Sequence, residues 1–215
     1  MSGRKQMQSA GSRFENGSLR WRILVWAIWL AVAGIAMPTL VRAAEPPEVE
    51  ERIVRQPTLR KIRADRDGAA LERIEVCRGR LPAQYQKRNN FAWAVVGAKD
   101  LDKTEYFAHS GIQSLDGYSS PMAKQLEGIS LKPENGRYHV LCVNQHDVVD
   151  GSNCWVRSVD TEYKIIEDLV ARLPDTSVRM RVKLYTDLPP CASCWNVLKQ
   201  FMAEYENARV QVLHR

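Results

Sequence analysis

Most of this chain lacks an excess of charge of either sign. With the six bases and single acid of residues 1–43 set aside from totals of 31 and 25, residues 44–215 hold 25 Lys and Arg against 24 Asp and Glu. The positive overall balance is therefore no argument for a nucleic-acid-binding surface, because the surplus sits at the N-terminus. A second metal-binding pair is also missing. Cys191 and Cys194 stand two residues apart with no further Cys or His pair at such spacing, whereas closed structural zinc sites use four protein ligands. Proline is absent after Pro190. Cysteine is scarce and odd in number, at five; Cys142 and Cys154 bridging a loop with Cys77 left over, or unpaired core cysteines, both fit an exported chain.

What is present begins with a segment unlike the rest. Arg4, Lys5, Arg13, Arg20 and Arg22 precede the uncharged run Ile23–Val41, and the order basic, apolar, small is that of a secretory signal. Val41 and Ala43 suit cleavage after Ala43, which makes the protein periplasmic or secreted. The alternative is an uncleaved anchor in the inner membrane, the only membrane contact expected, since a span needs about 20 apolar residues. Residues 44–88 are charged, Pro-containing and weakly patterned, and are expected to be a polar linker with a short helix over 69–76. An ordered domain is expected over 89–215.

Within that domain, residues 89–97 and 104–109 read as a hairpin, and 137–143 have strand composition. Residues 145–158 are polar and looped. Ile165, Ile166, Leu169, Val170 and Leu173 form one helical stripe over 162–173. Val178, Met180, Val182 and Leu184 alternate with Arg179, Arg181 and Lys183 in a strand over 177–186, a helix follows over 191–204, and 208–213 close as a strand. The order is β-β, insertion, α-β-α-β.

Two helix starts carry the chemistry. Pro189-Pro190 lead into Cys191-Ala192-Ser193-Cys194, where helix N-terminal N–H groups favour thiolate over thiol. Asp160-Thr161-Glu162 place two acids at the first turn of the other helix. An acid-x-Glu start and a Pro-Cys-x-x-Cys start together are the layout of zinc-dependent nucleobase deaminases.

On these residues, with Leu184-Tyr185-Thr186-Asp187, the downstream Val197–Phe201 and His109-Ser110-Gly111, the chain resembles the cytidine-deaminase-like superfamily over roughly residues 90–215. Within it, the resemblance is to the bacterial polymorphic-toxin (BURPS-type) nucleic acid deaminases. That resemblance implies a three-layer α/β fold with a mixed central sheet and Zn2+ at the N-termini of two helices. It implies Asp160, Cys191 and Cys194 as metal ligands and Glu162 as the catalytic proton shuttle. The expected substrate is cytosine in a nucleic acid or nucleotide, adenine being second choice, and the expected partner is a neutralising immunity protein. His109 and Arg157 are the candidates for substrate contact. In one departure, Asp160 stands where the superfamily has His. A carboxylate oxygen can ligate zinc at about 2.0–2.2 Å, but its added negative charge is expected to weaken the metal as a Lewis acid.

Two other readings use the same residues. An exported thiol-disulfide oxidoreductase, similar to glutaredoxins, would use Cys191 and Cys194, but that fold needs a later cis-proline and leaves Asp160 and Glu162 unexplained. A catalytically inactive zinc-binding module on the deaminase fold would keep the metal and lose the reaction.

Overall fold

The computed structural model describes residues 55–215. The expected signal or anchor of residues 1–43 and the first part of the expected linker lie outside the described residues. Among the described residues no helix is long and apolar enough to cross a membrane.

Among the described residues, seven strands form two sheets. β1 (Thr58–Lys61), β2 (Phe91–Ala98), β3 (Glu105–His109), β6 (Met180–Thr186) and β7 (Ala208–His214) make a five-stranded mixed sheet in the order β1-β7-β6-β2-β3. β4 (Cys142–Val143) and β5 (Trp155–Val156) form a small separate pair. β2 and β3 are the expected antiparallel hairpin, while β6 and β7 run parallel, joined by helix α4 (Ala192–Glu204), because parallel neighbours need a crossover.

The alternation in β6 sorts its side chains between two layers. Val182 and Leu184 face the layer of α3 (Thr161–Val170) and α4, where Ile165, Ile166, Val197, Leu198 and Phe201 are all fully buried. Tyr185 faces the opposite layer with Phe91, Trp93, Phe107 and Leu213, covered by α1 (Ala64–Gly79) through Ile74 and Cys77. Helix, sheet and helix make the three-layer α/β architecture of a cytidine-deaminase-like fold.

One expectation is corrected. The described part of the expected linker, residues 55–88, is not a spacer: β1 pairs in parallel with β7, and α1 fills one face of the core. Its polar composition misled because its charges are used internally. Arg60 donates twice to Asp67, each at 2.7 Å, and Asp67 also accepts the Arg63 backbone N–H at 3.0 Å, fixing the first turn of α1. Of residues 137–143, which have strand composition, only 142–143 pair, and with β5. Their backbone polar groups are met by helix side chains instead: Glu167 accepts from the N–H groups of Arg137 and Tyr138, Gln200 from His139, and the Ser193 hydroxyl from Leu141. Backbone satisfied in this way needs no neighbouring strand.

That segment reaches the helices by passing close to α3 at Gly136. A Cβ there would overlap the Tyr163 hydroxyl and lie 2.8 Å from its ring carbon. Tyr163 is buried, so Gly136→Ala is expected to cost about 1–3 kcal/mol of stability. Urea unfolding followed by far-UV circular dichroism checks it.

α1 also reaches the loop that leads to the cysteines. Arg78 donates to both oxygens of Asp187, at 2.8 and 2.7 Å, with the pair nearly buried at 10% and 14% exposure. Burial pulls the Asp187 carboxyl up, but the bonds from Arg78 and Tyr185 outweigh it and hold the group below the usual range. Removing Arg78 leaves the half-buried Asp187 carboxylate with only the Tyr185 hydroxyl at 2.7 Å and the exposed Arg215 at 3.3 Å, so Arg78→Ala is expected to destabilise the fold by about 1–3 kcal/mol near neutral pH. The depressed carboxyl contributes stability above its unfolded pKa of about 3.9, and that contribution is lost as pH falls through the folded value. The difference in melting temperature between wild type and Arg78→Ala is therefore expected to be largest above pH ~5 and to shrink below pH ~4.

Candidate active site

The two helix starts meet. Asp160 is the N-cap residue of α3 and Cys191 that of α4, yet neither side chain caps its helix. The Asp160 carboxylate turns toward the sulfurs, with Oδ2 at 3.4 Å from Cys191 Sγ and 3.3 Å from Cys194 Sγ, and the two sulfurs lie 3.4 Å apart. Both thiols are free. A tetrahedral ion with Zn–S of about 2.3 Å and Zn–O of about 2.0–2.2 Å would space such donors by about 3.5–3.8 Å. The donor set of two sulfurs and one oxygen therefore fits a zinc ion with a slight spreading. Cys142, Asp150 and Cys154 also lie close together, but a disulfide joins Cys142 to Cys154 and leaves no thiolate to offer.

The electrostatics favour one thiolate. The bond from Cys194 pulls the Cys191 thiol below its usual value against the effect of burial, and the same bond followed by burial pushes Cys194 up. Asp160 and Cys191 sit at the positive dipole ends of α3 and α4, which favours the negative charge that collects here. Arg157 adds a cation: its Nη1 lies 3.9 Å from Asp160 Oδ1, and its Nε and Nη2 donate to the carbonyls of Val143 and Asn144 at 3.2 Å each.

Glu162 stands beside this cluster, 1% exposed, its Oε2 accepting from the Thr161 hydroxyl at 2.9 Å. Burial, and then the charge of Asp160, hold it above the usual carboxylate range, although the Thr161 and Thr186 hydroxyls pull the other way. Asn90 ties these groups together, its Nδ2 donating to Thr161 Oγ1 at 2.8 Å and Thr186 Oγ1 at 2.9 Å, while its Oδ1 accepts the Leu188 N–H at 3.1 Å. One amide thus fixes the start of β2, the start of α3, the end of β6 and the loop to Cys191.

A cavity of about 380 Å³ opens onto this arrangement, lined by Asn90, Asn144, Asp147, Arg157, Asp160, Glu162, Cys191 and Cys194 among others. Five of the six candidate site residues, Asp160, Glu162, Cys191, Cys194 and Arg157, therefore meet at one place. His109 does not line it. It is fully buried, with Nδ1 accepting from the Gly111 N–H at 3.1 Å and Nε2 donating to the Arg88 carbonyl at 2.8 Å. Both ring nitrogens are used inside the protein, so the expectation of substrate contact is corrected to a structural role. Lys164 supports the same strand end, donating from a fully buried Nζ to the carbonyls of His109 and Ile112; burial brings its ammonium down to about 7.

Sequence reasoning missed Asn90, Asn144 and Asp147. Asn90 reads as a polar strand boundary. Asp147 reads as loop, yet its carboxylate accepts the Ala192 N–H at 2.7 Å and so supplies the cap that Cys191 does not give α4.

Neither the curated proteins nor the solved structures contain a match to the chain. Residues 75–215 match Toxin-deaminase, the BURPS668_1122 family of deaminases, a span that covers more than half of the chain and includes both helix starts. With the three-layer fold and the convergence of Asp160, Glu162, Cys191 and Cys194 on one cavity, that match places the chain: it belongs to the BURPS668_1122 family of deaminases.

Proposed function

We propose that the protein is a zinc-dependent hydrolytic deaminase that converts cytosine to uracil in nucleic acid, acting as an exported toxin. The observation that carries this reading is the meeting of three metal donors and one buried carboxylate, Glu162, at the N-termini of two helices in a single cavity. Asp160, Cys191 and Cys194 would hold the zinc, which when bound would supply Lewis acidity for activating water near neutral pH.

The remaining work falls to the chain. Glu162 accepts a proton as the water oxygen bonds to C4 of the base and passes it to the ring nitrogen, then takes the second proton from the new C4 hydroxyl and gives it to the amine as the C4–N bond breaks, leaving uracil, ammonia and Glu162 as it began. The Thr161 hydroxyl and the Asn90 network orient that carboxylate. The charge that Asp160 adds in place of a neutral imidazole is offset by Arg157 and by two helix N-termini. The order of residues 4–43 supports export, and an immunity partner is the expectation that goes with a toxin. The thiol-disulfide alternative gives Asp160 and Glu162 no task.

Metal removal tests the reading. Full-length protein dialysed against a zinc chelator under mild reduction is expected to lose deamination of single-stranded DNA or RNA and to regain it on adding one equivalent of zinc. Uracil formation unaffected by the chelator would contradict it.

A further inference from the structure

A second cavity, also of about 380 Å³, adjoins the one at Glu162 and shares Asn144 and Gln145 with it. Its other lining residues are His146, Ser152, Asn153 and Trp155. All come from the hairpin that β4 and β5 close. The disulfide Cys142–Cys154 bridges its base, and the pairs Cys142 with Val156 and Val143 with Trp155 hold its register. At the turn, Asn144 Oδ1 accepts the N–H groups of His146 at 2.9 Å and Val148 at 3.1 Å, and Asp147 ties the hairpin to α4 through the Ala192 N–H. The hairpin is thus fixed in place beside the cavity.

Trp155 is the unusual member. An indole 46% exposed would ordinarily be covered, and here it borders a cavity instead. The Arg157 guanidinium lies 4.0 Å from its ring centroid, and the same Arg157 lines the Glu162 cavity, so one stacked pair joins the two spaces. The Glu162 cavity has no aromatic lining. Side-chain amide, hydroxyl and imidazole groups of Gln145, His146, Ser152 and Asn153 line the same cavity as the indole, which is the combination that receives a nucleobase: a face to stack on and donors and acceptors for its edge.

We propose that this second cavity binds the base of a nucleotide flanking the target in single-stranded nucleic acid, stacked on Trp155. The inference rests on the deaminase reading above and deepens it. The substrate is a strand rather than a free nucleotide, and the flanking sequence is read by the disulfide-closed hairpin.

The test compares full-length wild type, Trp155→Ala and Trp155→Phe on deoxycytidine monophosphate and on single-stranded oligonucleotides whose residues on either side of one cytosine are varied. Stacking of one base is worth about 1–3 kcal/mol, or about 5- to 150-fold. Trp155→Ala is expected to lose that factor in kcat/KM on oligonucleotides and to flatten the flank preference, and Trp155→Phe to restore most of both, with zinc content and melting temperature unchanged. Gln145→Ala, which leaves the indole in place, is expected to alter the flank preference with a smaller loss of rate, and serves if Trp155→Ala fails to fold.

Wild-type kinetics and flank preference in both Trp155→Ala and Gln145→Ala would overturn the inference and leave the deaminase reading standing. So would equal kcat/KM for the monophosphate and the best oligonucleotide. Unchanged kinetics together with loss of a protein partner would assign the hairpin to that partner instead. No deamination of any substrate by zinc-loaded wild type would overturn both.

Discussion

Glu162→Gln is expected to hold one zinc per chain and to deaminate at least 10²- to 10⁴-fold more slowly than wild type, the range general acid–base groups supply. The side chain is fully buried and its Oε2 is bonded to Thr161, so an amide of the same shape keeps the packing and removes only the exchangeable proton. The loss belongs in kcat rather than KM, because a group that moves protons in the transition state adds little to ground-state binding. Single-turnover kinetics on a cytosine-containing oligonucleotide, with metal content measured on the same sample, checks both halves. A variant that lost zinc along with activity would make Glu162 a support of the metal site instead of the proton carrier.

Cys191→Ala is expected to lose zinc and all measurable deamination together. It removes one of three donors, and the remaining Asp160 and Cys194 make a pair too small to hold the ion against a chelator. Cys191 is half-buried at the start of α4 and its backbone N-cap geometry does not depend on the sulfur, so the fold is expected to survive. Matched far-UV spectra of wild type and variant, and a metal titration of each, separate loss of the ion from loss of the fold.

The part of this molecule legible in its sequence is the part whose signals are local. The stripe of Ile165, Ile166 and Leu169 and the alternation through Met180, Val182 and Leu184 are periodic over one element, and both elements are present. The four central site residues were legible because each sits within two or three positions of a helix start, in two short motifs whose meeting the deaminase resemblance implies. The reading missed what tertiary pairing decides. Polar β1 and α1 enter the sheet and the core because Asp67 and Asp187 take up the charges of Arg60 and Arg78, a match between positions up to 109 residues apart. Residues 137–141 have strand composition, but their partners are Glu167, Gln200 and Ser193, side chains no strand pattern announces. His109 falls where a strand ends near the site, and only the positions of Gly111 and Arg88 show its ring turned inward.

Metal content and product formation measured on one preparation test the central claim most directly. Full-length protein purified under mild reduction is predicted to carry one zinc per chain and to form uracil in single-stranded DNA or RNA in a reaction that Glu162→Gln slows at least 10²-fold. Zinc-free protein in which Cys191 and Cys194 cycle between dithiol and disulfide, with no uracil formed, would contradict it.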